Sequence, residues 1–146
     1  RGSRESEESI ASHPGVAEVA VIGMKDELKG QVAMAFAVLR QPVARQGQWQ
    51  LLPCAPAWEG NWTSDCFVAF AWQGPEGERL LVAVNYAPNQ SQCYVQLPFA
   101  DLAGSQWRLQ DQLSPAVYSR DGNDLKSHGL FLDMWPWQTA VFSWTK

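Results

Sequence analysis

Side chains that could bind a metal or act as nucleophiles are few and widely spaced in this sequence. The three cysteines, Cys54, Cys66 and Cys93, form an odd-numbered set without a Cys-x-x-Cys spacing, which argues against a disulfide framework and against a zinc site. The two histidines, His13 and His128, lie far apart, whereas zinc needs three or four converging ligands. We therefore predict no metal site and no cofactor, and we expect Cys66 and Cys93 to be small buried hydrophobic side chains.

Three aspartates near the C-terminal end could mimic the acid and base of a glycosidase. A retaining glycosidase needs two carboxylates about 5–5.5 Å apart with a sugar between them. Asp121 and Asp124 flank Gly122 and Asn123, and this composition is typical of a turn. The full spacing of a calcium-binding loop is missing. We predict a turn at residues 121–124, and neither catalysis nor calcium binding there or at Asp133.

Exposed tryptophan is the best remaining candidate for a binding function. Trp58 and Trp62 lie four residues apart in a stretch without strand patterning, and Trp135 and Trp137 form a second pair. Aromatic faces can stack on the apolar faces of sugar rings, but large rings more often cap the end of a hydrophobic core, where they supply much buried area. We expect packing at both pairs and keep Trp58 and Trp62 as candidate carbohydrate-binding residues, with their exposure as the deciding observation.

Composition limits the possible function classes. The chain has 146 residues, 46% hydrophobic and 18% charged, with a formal net charge of −4. These values suit one folded domain, or one domain plus a fragment, and exclude a disordered chain. The mild acidity predicts no nucleic-acid partner and no membrane partner. The first residues resemble neither a signal peptide nor a transit peptide, so we expect a cytoplasmic location if the chain is expressed as it stands.

The composition changes near residue 40, which predicts two parts, 1–40 and 41–146. All eight Trp, all three Tyr and eight of the nine Pro fall in the second part. In the first part, a glutamate-rich helix is predicted at about residues 4–12, ended by His13-Pro14-Gly15. Two apolar runs follow, at 16–22 and 31–39. The first predicts a strand, and the second fits a strand or a helix because Ala and Met are ambiguous.

Residues 4–39 resemble the start of the small C-terminal domain of AMP-forming acyl-CoA synthetases, especially the acetyl- and propionyl-CoA branch. The resemblance is carried by the acidic helix, by the pattern His-Pro-x-Val-x-Glu-x-Ala-Val at 13–21, and by Lys-Gly-Gln before an apolar run at 29–31. Ser6 departs from the pattern, since the family has an apolar residue there. The family's adenylate-binding, hinge and catalytic-lysine motifs have no counterpart here, so the resemblance implies origin and argues against ligase activity.

The second part shows the two-residue alternation of antiparallel strands, separated by turns rich in Gly, Pro and Asn. In the clearest case Leu80, Val82, Val84 and Tyr86 share one face. The predicted strands are 48–52, 67–72, 79–86, 92–97, 106–110, 116–120, 130–134 and 138–144. The predicted fold is therefore mainly β, an antiparallel Greek-key β-sandwich with a short N-terminal helix and a two-strand segment.

Residues 38–146 resemble the C-terminal β-domain of α-amylase-family glycoside hydrolases. The resemblance is carried by an ordered set of motifs: Val-Asn-Tyr at 84–86, Trp-x-Leu-x-Asp at 107–111, Tyr-x-Arg-Asp-Gly at 118–122, and Gly-Leu-x-Leu-Asp at 129–133. In that family the catalytic carboxylates lie on a preceding barrel, so the resemblance implies a structural domain and no catalytic residue.

Two unrelated resemblances in one short chain predict an artificial chimera, a shuffled, selected or designed fusion whose leading Arg1-Gly2-Ser3 fits a vector remnant. A natural gene fusion and a cloning accident are the alternatives. The predicted function is that of a non-catalytic structural sandwich. The rivals are a carbohydrate-binding module that uses exposed tryptophan, and a synthetase fragment with residual ligand binding.

Self-association is the last expectation from the sequence. The run 16–22 is apolar on both faces, as in a buried strand, and a two-stranded unit alone is marginal in water. Residues 1–40 must therefore pack on the sandwich or on a second copy. We predict a homodimer formed chiefly by residues 1–40, with a weakly bound oligosaccharide as the other possible partner.

Overall fold

Two antiparallel sheets form the protein. The computed structural model describes residues 28–146, with side chains from residue 33 onward. The predicted helix 4–12 and strand 16–22 lie outside the described residues. The helices are α1 (Leu28–Leu39), α2 (Val43–Gln46) and α3 (Gly122–His128), and the strands are β1 (Gln48–Leu52), β2 (Cys54–Ala55), β3 (Phe67–Gln73), β4 (Arg79–Asn85), β5 (Ser91–Val95), β6 (Gln106–Asp111), β7 (Val117–Asp121), β8 (Leu130–Met134) and β9 (Thr139–Thr145). The mainly β fold predicted from alternation is confirmed.

Strands that are distant in sequence are neighbours in space. The larger sheet has the order β1-β3-β4-β9-β6-β7 and the smaller one the order β2-β5-β8. The last strand, β9, lies between β4 and β6, and both pairings are antiparallel. The chain thus passes from one sheet to the other several times, as expected of a sandwich with non-local connections.

The inner faces of the two sheets form the main core. One residue in two along each strand points inward, so β6 contributes Trp107 and Leu109 while β8 contributes Leu130, Leu132 and Met134. Edge-to-face aromatic contacts close one end of this core, where the Trp144 ring lies 5.6 Å from that of Phe99 and 6.2 Å from that of Trp107. Alternation therefore reflects real burial on one face of these strands.

The second apolar run is a helix, which corrects the predicted two-strand segment. Residues 28–39 form α1, because Ala, Met and Leu are good helix formers and the described positions bury one helix face. Met34, Ala35 and Val38 are fully buried on that face, whereas Phe36 is 55% exposed. The Arg45 guanidinium donates to the Leu39 carbonyl at 3.0 Å and so satisfies an end carbonyl of the helix.

α1 covers part of the outer face of the larger sheet. Met34 and Val38 share an apolar cluster with Trp72, Val82 and Val141, and α1 packs against β9 and α2. β4 is therefore buried on both faces. One apolar cluster thus contains residues from both sides of residue 40. No helix in the described part of the chain is long and apolar enough to span a membrane.

A buried cation lies at one end of the sandwich. The Arg79 side chain is almost fully buried, with its guanidinium carbon 4.4 Å from the centroid of the Phe99 ring and 4.7 Å from that of Trp107. Its Nη2 donates to the Asp101 carboxylate at 2.7 Å. This hydrogen bond, helped by the charge of Arg79, holds the pKa of Asp101 below its usual value. Asp101 therefore stabilises the fold in its ionised form.

Asp101→Asn should lower the free energy of unfolding by about 1 kcal/mol at pH 7, a modest effect because half of the Asp101 side chain is exposed to screening solvent. The folded-state pKa is depressed, so this stabilisation is present above the unfolded pKa of about 3.9 and is lost as pH falls through the folded value. Urea unfolding at pH 7, 4 and 2.5 should thus show the difference between wild type and variant shrinking with acid. Glu76→Gln, in an exposed turn, should differ little from wild type at pH 7. A difference as large at pH 2.5 as at pH 7 would contradict this role for Asp101.

Candidate functional site

Trp58 and Trp62 are exposed on the surface. Trp58 is 53% exposed and Trp62 66% exposed. The expectation that these rings cap the core is therefore wrong. Trp62 begins a 3-10 helix, Trp62–Cys66, which leads directly into β3. The exposure of the two rings favours a binding surface over packing against the core.

The loop that carries these rings is held by its own hydrogen bonds. The buried Asn61 side chain accepts from the Ala57 amide at 2.9 Å and donates to the Thr63 hydroxyl at 2.8 Å. The Asn61 amide donates to the Trp58 carbonyl at 3.1 Å. Gly60 has φ +84°, a conformation that glycine adopts without strain. These contacts fix the backbone of both tryptophans, which lowers the entropy lost when a ligand binds.

The loop is also attached to both sheets. The amide of Gln92, on β5 of the smaller sheet, donates to the Thr63 hydroxyl at 3.1 Å. The amide of Tyr86, which follows β4 of the larger sheet, donates to the Cys66 carbonyl at 2.7 Å. An open depression of about 300 Å³ lies beside Trp62 and is lined by Pro56 and Asp65 among others. The loop therefore carries two exposed aromatic rings on a fixed backbone, and Trp62 lines an open depression.

The second tryptophan pair divides between surface and core. Trp137 is half-buried, and its ring contacts that of Tyr86 at 5.3 Å in an edge-on arrangement. Trp135 is 68% exposed. The packing prediction thus fits Trp137 and is wrong for Trp135. The Trp135 amide donates to the Gln138 side chain at 2.8 Å, so this ring too is carried on a fixed backbone.

Cys93 is structural in character. Cys93 is fully buried as predicted, whereas Cys66 is only half-buried. Cys54 packs at the edge of the same core as Cys93. A hydrogen bond to Cys54, together with burial, raises the pKa of the Cys93 thiol. A protonated thiol in an apolar core is a poor nucleophile.

The three aspartates have separate roles. Residues 121–124 were predicted as a turn, but they begin α3, with the Asp121 carboxylate accepting from the Asn123 amide as an N-cap. Asp124 lies in the first turn of α3, where a negative charge is favourable. Asp133 lies on β8 instead. Within residues 28–146, no group of three or more His, Cys, Asp or Glu residues is placed to hold a metal ion.

Two polar residues near the loop were missed in the sequence. Gln92 links the 3-10 helix to β8, and Asn85 is fully buried with its Nδ2 atom donating to the carbonyls of Asn89, Met134 and Trp135. The Val-Asn-Tyr motif at 84–86 drew attention to this position only as a resemblance. The signal that could have identified Asn85 is its place as a polar residue at the end of an otherwise apolar run, 80–85.

Comparison with known families supports the first of the two resemblances. The sequence model of the AMP-binding enzyme C-terminal domain matches residues 5–52. The chain is 44% identical over 82 residues to the propionate–CoA ligase of Escherichia coli, and 68% identical over 40 residues to that of Salmonella typhimurium. These matches cover 51% and 27% of the chain, but only 13% and 6% of the relatives. The N-terminal part thus resembles a small piece of acyl-CoA synthetases.

Comparison with solved structures supports the second resemblance, that of the β-sandwich. The α-amylase from Geobacillus thermoleovorans, solved with acarbose, superposes with a TM-score of 0.56 over 86% of the chain and 24% of the amylase, at 13% identity. At that identity the likeness concerns the fold alone. The sandwich therefore has the fold of a part of an α-amylase-family enzyme.

Proposed function

We propose that the chain is a non-catalytic β-sandwich module that contacts carbohydrate through Trp58 and Trp62. The observation that carries this proposal is the exposure of both rings on a hydrogen-bonded loop. Two exposed tryptophan rings on one fixed loop present apolar faces on which a sugar ring can stack.

The sandwich itself supports the structural part of this proposal. The module has a continuous inner core, and α1 adds a second apolar cluster on the outer face. The α-amylase whose fold it shares was solved with a carbohydrate analogue, acarbose. In our proposal the module has a structural role and adds a weak contact with carbohydrate. It carries out no catalytic step itself.

The test is binding to starch and to maltoheptaose. Wild type should be retarded in native gels that contain soluble starch, and maltoheptaose should quench its Trp fluorescence with a dissociation constant of about 1 mM, which corresponds to roughly −4.1 kcal/mol. The double variant Trp58→Ala, Trp62→Ala should lose both effects. Trp49→Phe is the control, because Trp49 lies on β1 beside Phe70, outside the Trp58–Trp62 loop.

The same samples test catalysis. Incubation with starch, or with propionate, ATP and coenzyme A, should give no product above a buffer blank. Turnover that a point substitution abolishes would overturn the non-catalytic proposal, and unchanged gel mobility of the wild type would overturn the sugar contact. Saturable binding of ATP or coenzyme A would favour the rival synthetase-fragment function.

Origin and assembly belong to the same proposal. We regard the chain as an artificial fusion, because residues 5–52 match the AMP-binding enzyme C-terminal domain whereas 86% of the chain shares its fold with part of an α-amylase. The homodimer through residues 1–40 stays a prediction. Light scattering at twice 16.3 kDa would support it, whereas the packing of α1 on the larger sheet already gives part of that segment an intramolecular partner.

A further inference from the structure

A row of polar groups continues the Trp58–Trp62 loop across the smaller sheet. β5 lies in the middle of this sheet, with β8 on one side in the register Gln92 opposite Asp133. On the other side β2 ends at Ala55, and the 3-10 helix takes its place through the contact of Thr63 with Gln92. The row therefore runs from Trp62, past Gln92, to Asp133.

The polar groups in this row point to solvent. Gln92 and Asp133 alternate with the inward-facing Cys93 and Met134, so they lie on the outer face of the sheet. One oxygen of Asp133, Oδ1, accepts from the Gln90 side-chain amide at 2.9 Å and from that of Gln92 at 3.0 Å. Its second oxygen accepts no hydrogen bond from residues 28–146. That oxygen remains available to a ligand donor.

Trp135 ends the row on the far side. It follows Asp133 by two residues, and its peptide is held at both ends, by Gln138 at the amide and by Asn85 at the carbonyl. β5 lies between the 3-10 helix that carries Trp62 and the strand β8 that precedes Trp135, so the two tryptophans lie on opposite sides of this strand. Two exposed rings on fixed backbones thus flank an exposed cluster of amides and a carboxylate.

We infer that Gln90, Gln92, Asp133 and Trp135 form the second half of the carbohydrate site, so that it takes a neutral oligosaccharide of several units across the smaller sheet. This inference rests on the proposed sugar contact at Trp58 and Trp62. The free carboxylate oxygen accepts from sugar hydroxyls, and the side-chain amide oxygens of the two glutamines can do the same. Trp135 gives the chain a stacking surface beyond the one in the loop.

The chemistry of the cluster selects a neutral polyol. Asp133 is the charged residue among the four, and its carboxylate repels acidic polysaccharides. The glutamine amides and the free oxygen of Asp133 suit hydroxyl groups instead. Affinity for such a site should rise with the length of the oligosaccharide, because one long oligosaccharide contacts both tryptophan rings without a second loss of translational freedom. We therefore expect maltoheptaose to bind more tightly than maltotriose.

The experiment measures both affinities by fluorescence titration for wild type, Trp135→Ala, Asp133→Ala and the double variant Trp58→Ala, Trp62→Ala. Trp135→Ala should weaken maltoheptaose binding roughly 3- to 10-fold, the value of one aromatic stacking contact, and leave maltotriose almost unchanged. Asp133→Ala should weaken maltoheptaose binding by about the same factor. Asp124→Ala is the control, because Asp124 lies in the first turn of α3. Unchanged thermal midpoints will show that each variant is folded.

Three results separate this inference from the proposed function. If wild type binds neither sugar, both are overturned. If wild type binds and only the Trp58, Trp62 double variant loses binding, the extended site is wrong and the proposed contact stands. If Trp135→Ala and Asp133→Ala lose affinity while the double variant does not, the row binds sugar by itself and the assignment to Trp58 and Trp62 is wrong.

Discussion

Asn85→Asp is expected to lower the free energy of unfolding by about 4 kcal/mol, which is enough to unfold a marginal domain at 25 °C. Asn85 is fully buried, and its Nδ2 atom donates at 2.8, 3.2 and 2.9 Å to the carbonyls of Asn89, Met134 and Trp135. Aspartate places a carboxylate oxygen where these three carbonyls need a donor. The substitution therefore removes the two N–H donors that serve these three carbonyls and places an unpaired charge at the same buried site.

The control for this substitution is Asn123→Asp, which makes the same chemical change with the opposite hydrogen-bond direction. The Asn123 oxygen accepts from the Gly104 amide at 3.0 Å on the surface, and aspartate keeps that acceptor. Urea unfolding should place Asn123→Asp within about 0.5 kcal/mol of wild type. Equal stability of the two variants would show that Asn85 does not hold the end of β8.

Val38→Asp should lower the free energy of unfolding by at least about 3 kcal/mol, because it buries a charge between α1 and the larger sheet. Val38 is fully buried in the cluster that includes Val82 and Val141. Phe36→Asp changes the exposed face of the same helix and should cost little. Thermal and urea unfolding give the stability of the two variants. Because both variants place aspartate in the same helix, the difference between them reports the buried face against the exposed face.

This pair of variants decides whether the synthetase-like segment is part of the folded module. If Val38→Asp is as stable as Phe36→Asp, the packing of α1 does not stabilise the sandwich. The apolar cluster on the outer face of the larger sheet must then be covered by another part of the chain. The expected outcome is a large difference, since burial of Met34 and Val38 contributes roughly 1.5–3 kcal/mol for each side chain.

The strands could be predicted because alternation records which face is buried. The prediction for 130–134 matches β8, in which buried and exposed residues alternate. The prediction for 48–52 matches the bounds of β1, although four of its five residues are exposed. The helix α1 could not be separated from a strand, because its Ala- and Met-rich run suits either element until a neighbouring face selects one. The prediction of a turn at residues 121–124 is wrong, because Asp and Asn favour helix N-caps as well as turns, and these residues begin α3.

The candidate site was predicted only in part. Trp58 and Trp62 were singled out by type and spacing, but their exposure depends on how the loop attaches to the smaller sheet. That attachment uses Asn61 and Thr63, two polar residues without any distinctive pattern. The neighbourhood of Gln92 and Asp133 follows from strand register, which a single sequence does not specify between strands about 40 residues apart.

The central position of β9 has a consequence for synthesis. β9 joins β4 to β6 within the larger sheet, so the sheet is in two separate halves until residues 139–145 have left the ribosome. Until then the edges of β4 and β6 are open to other nascent chains. Pairings of such high contact order also form slowly. We therefore expect expression to depend on chaperone capacity and on temperature during translation, with aggregates formed by chains that end before β9.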